Sequence, residues 1–293
     1  MKYSLQCILL LLISLTNYWG QKDSALFSKI DAYLKEKNWL ALGLLYEQLS
    51  YSTDSIDLSD KYKCISAEFF KQAKDYNTSI NLLKSIYLYR YNDSLKFYIK
   101  YQIALNYYLS DDLISAKSEI ISLHYLLSDS TYIYRSYPLF SLILNELYEW
   151  EKAKQILISY NNFKYKNDTL TLKNINNFID SLYNKNHLPK IKSIDKAIAL
   201  STFFPGLGQM YSKNYSEGII TMMSHIFIIG LSTLGIYYQY YFTSIIAGSS
   251  LFAKFYNGNL KRAEFSVKKY NYMSSKNFNQ NLKNLIINEY YKK

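Results

Sequence analysis

Apolar positions along the first half of this chain recur at helical spacing, and the whole pattern returns every 37 residues. Leu42, Ser79, Ala116 and Ala153 form one column. Three positions earlier stand Trp39, Tyr76, Leu113 and Trp150, and nine earlier Tyr33, Phe70, Tyr107 and Leu144. Twelve earlier stand Ile30, Ala67, Ala104 and Ser141, and four later Tyr46, Leu83, Ile120 and Leu157. A fixed period of this length predicts a solenoid, in which each unit buries its apolar face against its neighbours. Within a unit the spacing predicts two helices. Ile103, Ala104 and Tyr107 share one face, and Leu113, Ala116, Ile120 and Leu123 the next.

Short polar clusters keep the same place in successive units: Lys35-Glu36-Lys37-Asn38, Lys74-Asp75 and Ser110-Asp111-Asp112. They predict the tight connections within helix pairs. Helix starts are expected at Asp93-Ser94, at Ser136 ahead of Pro138, and at Asp168-Thr169. Pro138 is expected in a first turn, where it forfeits no internal hydrogen bond. Ala67 and Ala104 on the first helices, and Ala116 and Ala153 on the second, are expected to let helices approach closely. Trp39, Tyr76 and Trp150 would fill the space near the turn. A further helix over about 169–183 would cap the open end.

Beyond the connector Asn184–Ser193 the pattern changes. Seven of the nine glycines lie at or after Gly206. From Gly218 to Tyr237 run 20 residues without a charge, enough to cross the hydrocarbon layer as a helix. A second apolar stretch follows from Tyr240 to Tyr256, with Lys254 placed to reach toward headgroups. Gly230, Gly235, Ala247 and Gly248 are expected to provide small packing surfaces between the two segments. The tail, 272–293, is basic, with Leu282, Leu285 and Ile286 on one face.

The net charge of +11 changes meaning once it is mapped. Residues 21–160 carry 16 Lys+Arg against 17 Asp+Glu, whereas 161–293 carry 17 against 6. The excess surrounds the most apolar region, which favours a lipid bilayer over nucleic acid as its partner. The amino terminus, 1–20, reads as a secretory signal, with an uncleaved anchor as the alternative. Export of the repeats is the expectation, although Lys190, Lys192, Lys196, Lys261, Arg262, Lys268 and Lys269 flank the apolar pair and positive charge normally stays in the cytoplasm. Of the two cysteines, Cys7 falls in the leader, and Cys64 is expected as a small buried residue.

The matches Ala67-x-x-Phe70, Ala104-x-x-Tyr107, Tyr76-x-x-Ser79 and Trp150-x-x-Ala153 resemble the tetratricopeptide repeat family. That family's period is roughly 34 residues, so the likeness is to a longer variant, and Leu42 replaces the small residue in the first unit. The resemblance implies an all-α, tetratricopeptide-like α-solenoid of about four helix pairs over 24–185. Downstream, Pro205-Gly206-Leu207-Gly208-Gln209-Met210-Tyr211 is similar to a bacterial two-helix membrane domain marked by Pro-Gly-x-Gly-Gln-x-Tyr. Tyr256, Gly258, Asn259, Ala263, Tyr270 and Asn271 continue the likeness. Lys213 stands where that family usually has glycine. This second resemblance covers 194–271 and implies a transmembrane helical hairpin; the family's function is undefined.

Catalytic chemistry is not expected. His124, His187 and His225 are scattered, and no nucleophile elbow or metal-ligand spacing occurs. His225 is expected to hydrogen-bond the neighbouring helix. No cofactor, metal or small-molecule substrate is expected. The reading is a membrane-attached scaffold or adaptor of a bacterial envelope, with an unidentified protein partner and the repeats on the periplasmic side. The alternative is a membrane module that assists insertion or stability of another membrane protein while the repeats recruit clients.

Overall fold

The structure, a computed structural model, describes residues 24–184, 186 and 188–291. The leader segment 1–20, Cys7 and His187 lie outside the described residues. All regular secondary structure among the described residues is helical, with 13 α-helices and one short 3-10 turn. The chain divides after Ile179 into two compact units.

The first unit holds α1 (Ser24–Lys35), α2 (Trp39–Ser52), α3 (Ile56–Gln72), α4 (Tyr76–Lys84), α5 (Asp93–Leu109), α6 (Leu113–Leu126), α7 (Ser130–Glu146) and α8 (Trp150–Lys164). α9 (Thr169–Leu182) crosses the dividing point. Each helix from α1 to α7 packs on the next, and α5 also meets α7.

The 37-residue period is written into the backbone. Lys37, Lys74, Asp111 and Tyr148 each adopt the left-handed conformation, with φ of 54, 64, 66 and 63°. The following residue then sends its N–H back five positions. Asn38, Asp75, Asp112 and Glu149 donate to the carbonyls of Tyr33, Phe70, Tyr107 and Leu144, each at 2.9 Å. This closes one helix by satisfying its last carbonyls. The same residue opens the next helix. Side chains of Asn38, Asp75 and Asp112 accept from the N–H groups of Ala41, Thr78 and Ser115 at 3.1, 3.2 and 3.1 Å. Glu149 makes no such cap; its carboxylate instead holds Lys117 and Lys152 at 2.5 and 2.7 Å.

The periodic columns are interior. Leu42, Ser79, Ala116 and Ala153 are all 0% exposed. Tyr46, Leu83, Ile120 and Leu157 are buried with them, as are Ala67, Ala104 and Ser141. Phe70 and Trp150 are also buried, whereas Trp39, Tyr76 and Tyr107 are half-buried. Trp39 stacks on Phe69 at 6.2 Å. Beside Leu42 in the first unit, Gly43 leaves room for the Phe70 ring, which an added Cβ would approach to 3.1 Å. Buried hydroxyls stitch the interface: Ser66 donates to the Gly43 carbonyl and Ser79 to the Ala67 carbonyl, both at 2.7 Å. Cys64 is buried in the same core, and burial pushes its thiol up to about 12.

Two helix starts differ from the sequence expectation. α5 is capped by Asn92, one residue before the expected Asp93-Ser94. Pro138 lies inside α7, which begins at Ser130 with Asp129 as its cap. It therefore removes an interior N–H, a disruption worth up to ~3 kcal/mol in an ordinary helix. Ser136 is not a cap but a buried residue that donates to the Ile133 carbonyl at 2.7 Å and meets His124 at 2.8 Å. The α9 start is as expected: Asp168 accepts from the Thr171 N–H at 3.0 Å.

The second unit holds α10 (Ile194–Phe203), the short α11 (Leu207–Tyr211), α12 (Tyr215–Tyr237) and α13 (Tyr241–Tyr291). α12 and α13 pack on each other, and α10 and α11 pack against α13. The second apolar stretch and the basic tail, separate in the sequence reading, form one uninterrupted helix. α12 is long and apolar enough to cross a membrane.

Candidate functional site

The motif at 205–211 begins where α10 ends. Phe204 is extended, as a residue before proline must be, and Gly206 follows with φ of +98°. A side chain is excluded there twice over: the backbone is left-handed, and a Cβ would overlap the Gly218 carbonyl oxygen. Gly208 has ordinary backbone but no room. Its Cβ would strike the Ala197 carbonyl and Ser201 hydroxyl and would lie 2.7 Å from the Ala263 Cβ.

These close approaches enclose three polar side chains that are almost completely buried: Ser201, Gln209 and Asn259. Asn259 Oδ1 accepts from the Gly206 N–H at 3.0 Å and from Gln209 Nε2 at 3.1 Å. Asn259 Nδ2 donates to the Ser201 carbonyl at 3.0 Å. The Ser201 hydroxyl donates to Gln209 Oε1 at 3.3 Å and accepts from the Gly208 N–H at 3.0 Å. The ring closes on itself, so each buried amide finds both a donor and an acceptor. It ties the backbone of the Pro-Gly turn to α10 on one side and α13 on the other.

A second cluster surrounds Lys192. Its N–H donates to Asn271 Oδ1 at 2.8 Å, and Asn271 Nδ2 donates to its carbonyl at 2.9 Å. The Lys192 ammonium donates to the Tyr211 carbonyl. It also stands 4.8 Å from the Tyr211 ring centre and 4.6 Å from that of Tyr270. Lys196 approaches Tyr211 and Lys213 approaches Tyr270, at 5.6 and 5.9 Å. Such pairs contribute about 0.5–1 kcal/mol each at exposed positions. Tyr256 completes the set by donating its hydroxyl to the Thr202 carbonyl at 3.1 Å.

Comparison of the chain with protein-family models, curated proteins and solved structures gives no match.

The structure thus brings Gly206, Gly208, Gln209 and Asn259 into one cluster and Tyr211, Tyr270 and Asn271 into the other. Pro205 lies between the extended Phe204 and the left-handed Gly206. Gly258 joins neither; a Cβ there meets nothing within 4 Å. Lys213, at the position expected for glycine, takes the left-handed conformation itself, with φ of 65°. The Asn214 N–H reaches back to the Gln209 carbonyl at 3.0 Å, the same closure used in the first unit. Sequence reasoning passed over Ser201 and the aromatic holding of Lys192. The one signal for Ser201 is a small polar residue eight positions before Gln209, directly after the apolar run Ala197-Ile198-Ala199-Leu200.

Two expectations about the helix pair need correction. Gly230 does not pack against α13, since a Cβ there meets nothing within 4 Å. Gly235 and Gly248 do serve as contact points, facing Ser244 and Ser232. His225 bonds not to the neighbouring helix but within its own: Nδ1 meets the Thr221 carbonyl at 2.8 Å. Its ring stands edge-on to Phe252 of α13, centroids 5.5 Å apart.

Proposed function

We propose that this chain is a membrane-attached protein-interaction scaffold, built from a tetratricopeptide-like solenoid and a helical hairpin that enters the bilayer. The solenoid reading is supported by the recurring turns, the buried 37-residue columns and the nearest-neighbour packing of α1–α8. The membrane reading is supported by the outer faces of α12 and α13. Ile219, Met223, Phe227, Phe242, Ile245 and Ile246 are all at least half exposed, and clustered exposed apolar side chains mark interaction or membrane surfaces. We further read the repeats as exported, following the leader sequence.

The observation that carries the scaffold reading is a groove of about 490 Å³ between α3 and α5, the first helices of two successive pairs. Its walls combine aromatic and charged groups: Tyr91 and Tyr98 with Asp57, Asp60 and Lys61. Tyr91 donates to Asp60 at 2.9 Å, which holds one wall rigid. Such a surface suits an extended peptide with apolar and basic side chains, since tyrosine contributes contact area at low entropy cost.

A photo-crosslinking residue in place of Tyr98 tests this in intact cells. A discrete protein adduct should form there and not from the same residue at Lys152 on α8. Equal recovery from both positions would remove the groove from the reading. Exchange of residues 194–291 for an unrelated membrane anchor should leave the adduct unchanged.

A further inference from the structure

Between α12 and α13, about 210 Å³ of space lies beside His225. This is smaller than drug-sized ligand pockets of roughly 300–1,000 Å³, so the cleft suits a headgroup-sized ligand. Its lining includes Thr221, Ser224 and His225 from α12, and Lys254, Asn259 and Arg262 from α13. His225 is 3% exposed, yet its Nε2 has no hydrogen-bond partner among the described residues, and neither has Thr221 Oγ1. Buried polar atoms normally find partners, so two orphans on side chains that line one cleft point to a ligand.

The tautomer narrows the chemistry. The Thr221 carbonyl can only accept, so Nδ1 of His225 carries the hydrogen and Nε2 is the ring atom left for a ligand. The cleft therefore offers an imidazole nitrogen beside two cations. Lys254 is exposed and forms no ion pair among the described residues; Arg262 is only loosely met by Glu217, at 4.0 Å. An anion that also carries a hydroxyl satisfies all of these groups. A phosphodiester with a polyol headgroup has that composition: oxygens for Lys254 and Arg262, a hydroxyl for Nε2.

Two sources share this chemistry, a lipid and a free glycerophosphate. The apolar walls Ile220 and Phe255 favour the lipid, because they continue onto the exposed apolar faces where acyl chains would run. Depth agrees. His225 and Lys254 lie 13 and 14 residues from Tyr238 and Tyr240 at the turn, about 20 Å along helices of 1.5 Å rise. In a hydrocarbon layer ~30 Å thick that places them within snorkelling reach of the opposite interface. Basic pockets between membrane helices are known headgroup sites.

We propose that this cleft binds an anionic phospholipid with a hydroxylated headgroup, phosphate on Lys254 and Arg262 and hydroxyl on His225. The proposal rests on the membrane reading above. Its test uses the full chain in nanodiscs, with bound lipid read by native mass spectrometry. Wild-type protein should retain phosphatidylglycerol over phosphatidylcholine by about tenfold or more. The Lys254→Gln/Arg262→Gln pair should lose that preference, whereas Lys268→Gln/Lys269→Gln, equal in charge, should keep it. His225→Phe should keep the preference for anionic lipid but lose discrimination between phosphatidylglycerol and phosphatidylmethanol, which lacks the hydroxyl.

Circular dichroism matching wild type is required of each variant, and Lys254→Arg should restore retention if the glutamine form misfolds. Failure of the wild-type chain to enter nanodiscs would overturn the membrane reading and this site with it. Entry without lipid preference, or equal loss in both charge pairs, would overturn the site alone. Displacement of the lipid by millimolar glycerol phosphate would assign the cleft to a soluble ligand instead.

Discussion

Lys192 and Asn271, 79 positions apart, exchange a reciprocal pair of hydrogen bonds at 2.8 and 2.9 Å. The amide side chain pairs with the backbone of the connector before α10 as another peptide unit would. It thereby fastens the entry of the second unit to the middle of α13.

Replacing Asn271 by alanine should lower the stability of the second unit by about 1–3 kcal/mol, because both backbone groups of Lys192 lose their partner. Asn271→Asp should be no better. It keeps the acceptor but sets a carboxylate oxygen against the Lys192 carbonyl. Thermal unfolding in detergent, followed by circular dichroism, measures both; an Asn271→Asp chain as stable as wild type would contradict the geometry.

Gly206 and Gly258 belong to the same sequence motif but differ in what surrounds them. Gly206→Ala should destabilise by more than ~2 kcal/mol, from the left-handed backbone and the overlap with the Gly218 carbonyl together. Gly258→Ala lies mid-helix with nothing within 4 Å, and should stabilise by about 0.5–1 kcal/mol. The two midpoints should therefore move in opposite directions.

Lys213 occupies a left-handed position with φ of 65°. Lys213→Gly should raise stability by up to about 1 kcal/mol, reduced by the lost approach to the Tyr270 ring. Lys74→Gly, at the equivalent turn of the repeats with φ of 64°, provides the comparison at a lysine outside the cation–ring pairs of the second unit. A loss of stability in both would show that the turns are not strained.

Burial, and after it the nearby Asp60 carboxylate, pushes the Cys64 thiol up to about 12 in the folded chain, with Lys63 opposing. An unfolded thiol ionises near ~8.5. The folded state therefore holds this proton more tightly. The stability it contributes is present below the unfolded value and is lost as pH rises from about 8.5 toward 12. In a Cys7→Ser chain at pH 8.5, maleimide should label the native protein at least ~10-fold more slowly than the denatured one.

The repeat was legible because it is local. Leu42, Ser79, Ala116 and Ala153 declare a buried column by spacing alone, and Lys74-Asp75 and Asp111-Asp112 declare the turns. Pro138 misled for the same reason: a serine two positions before a proline is a helix-start signal within any short window. That the helix had already begun at Ser130 follows from Asp129, whose capping role appears only once Asp129 and Thr131 are placed. His225 could be marked as unusual within an apolar run. Its partner could not, because a bond to its own helix and a bond to the next look alike in sequence.

Periodicity and composition alone determined that the chain is helical, that its first half repeats, and that one later segment is apolar enough to span a bilayer, because each depends on residues close in sequence. Tertiary structure alone decided how Ser201, Gln209 and Asn259 share one closed ring, why Gly206 tolerates no side chain, and that the tail continues α13. The ring depends on Asn259 meeting Gln209 and Ser201, 50 and 58 residues away, within 3.3 Å in the interior. There a buried amide must be matched by a specific partner, and no pattern along the chain names which one.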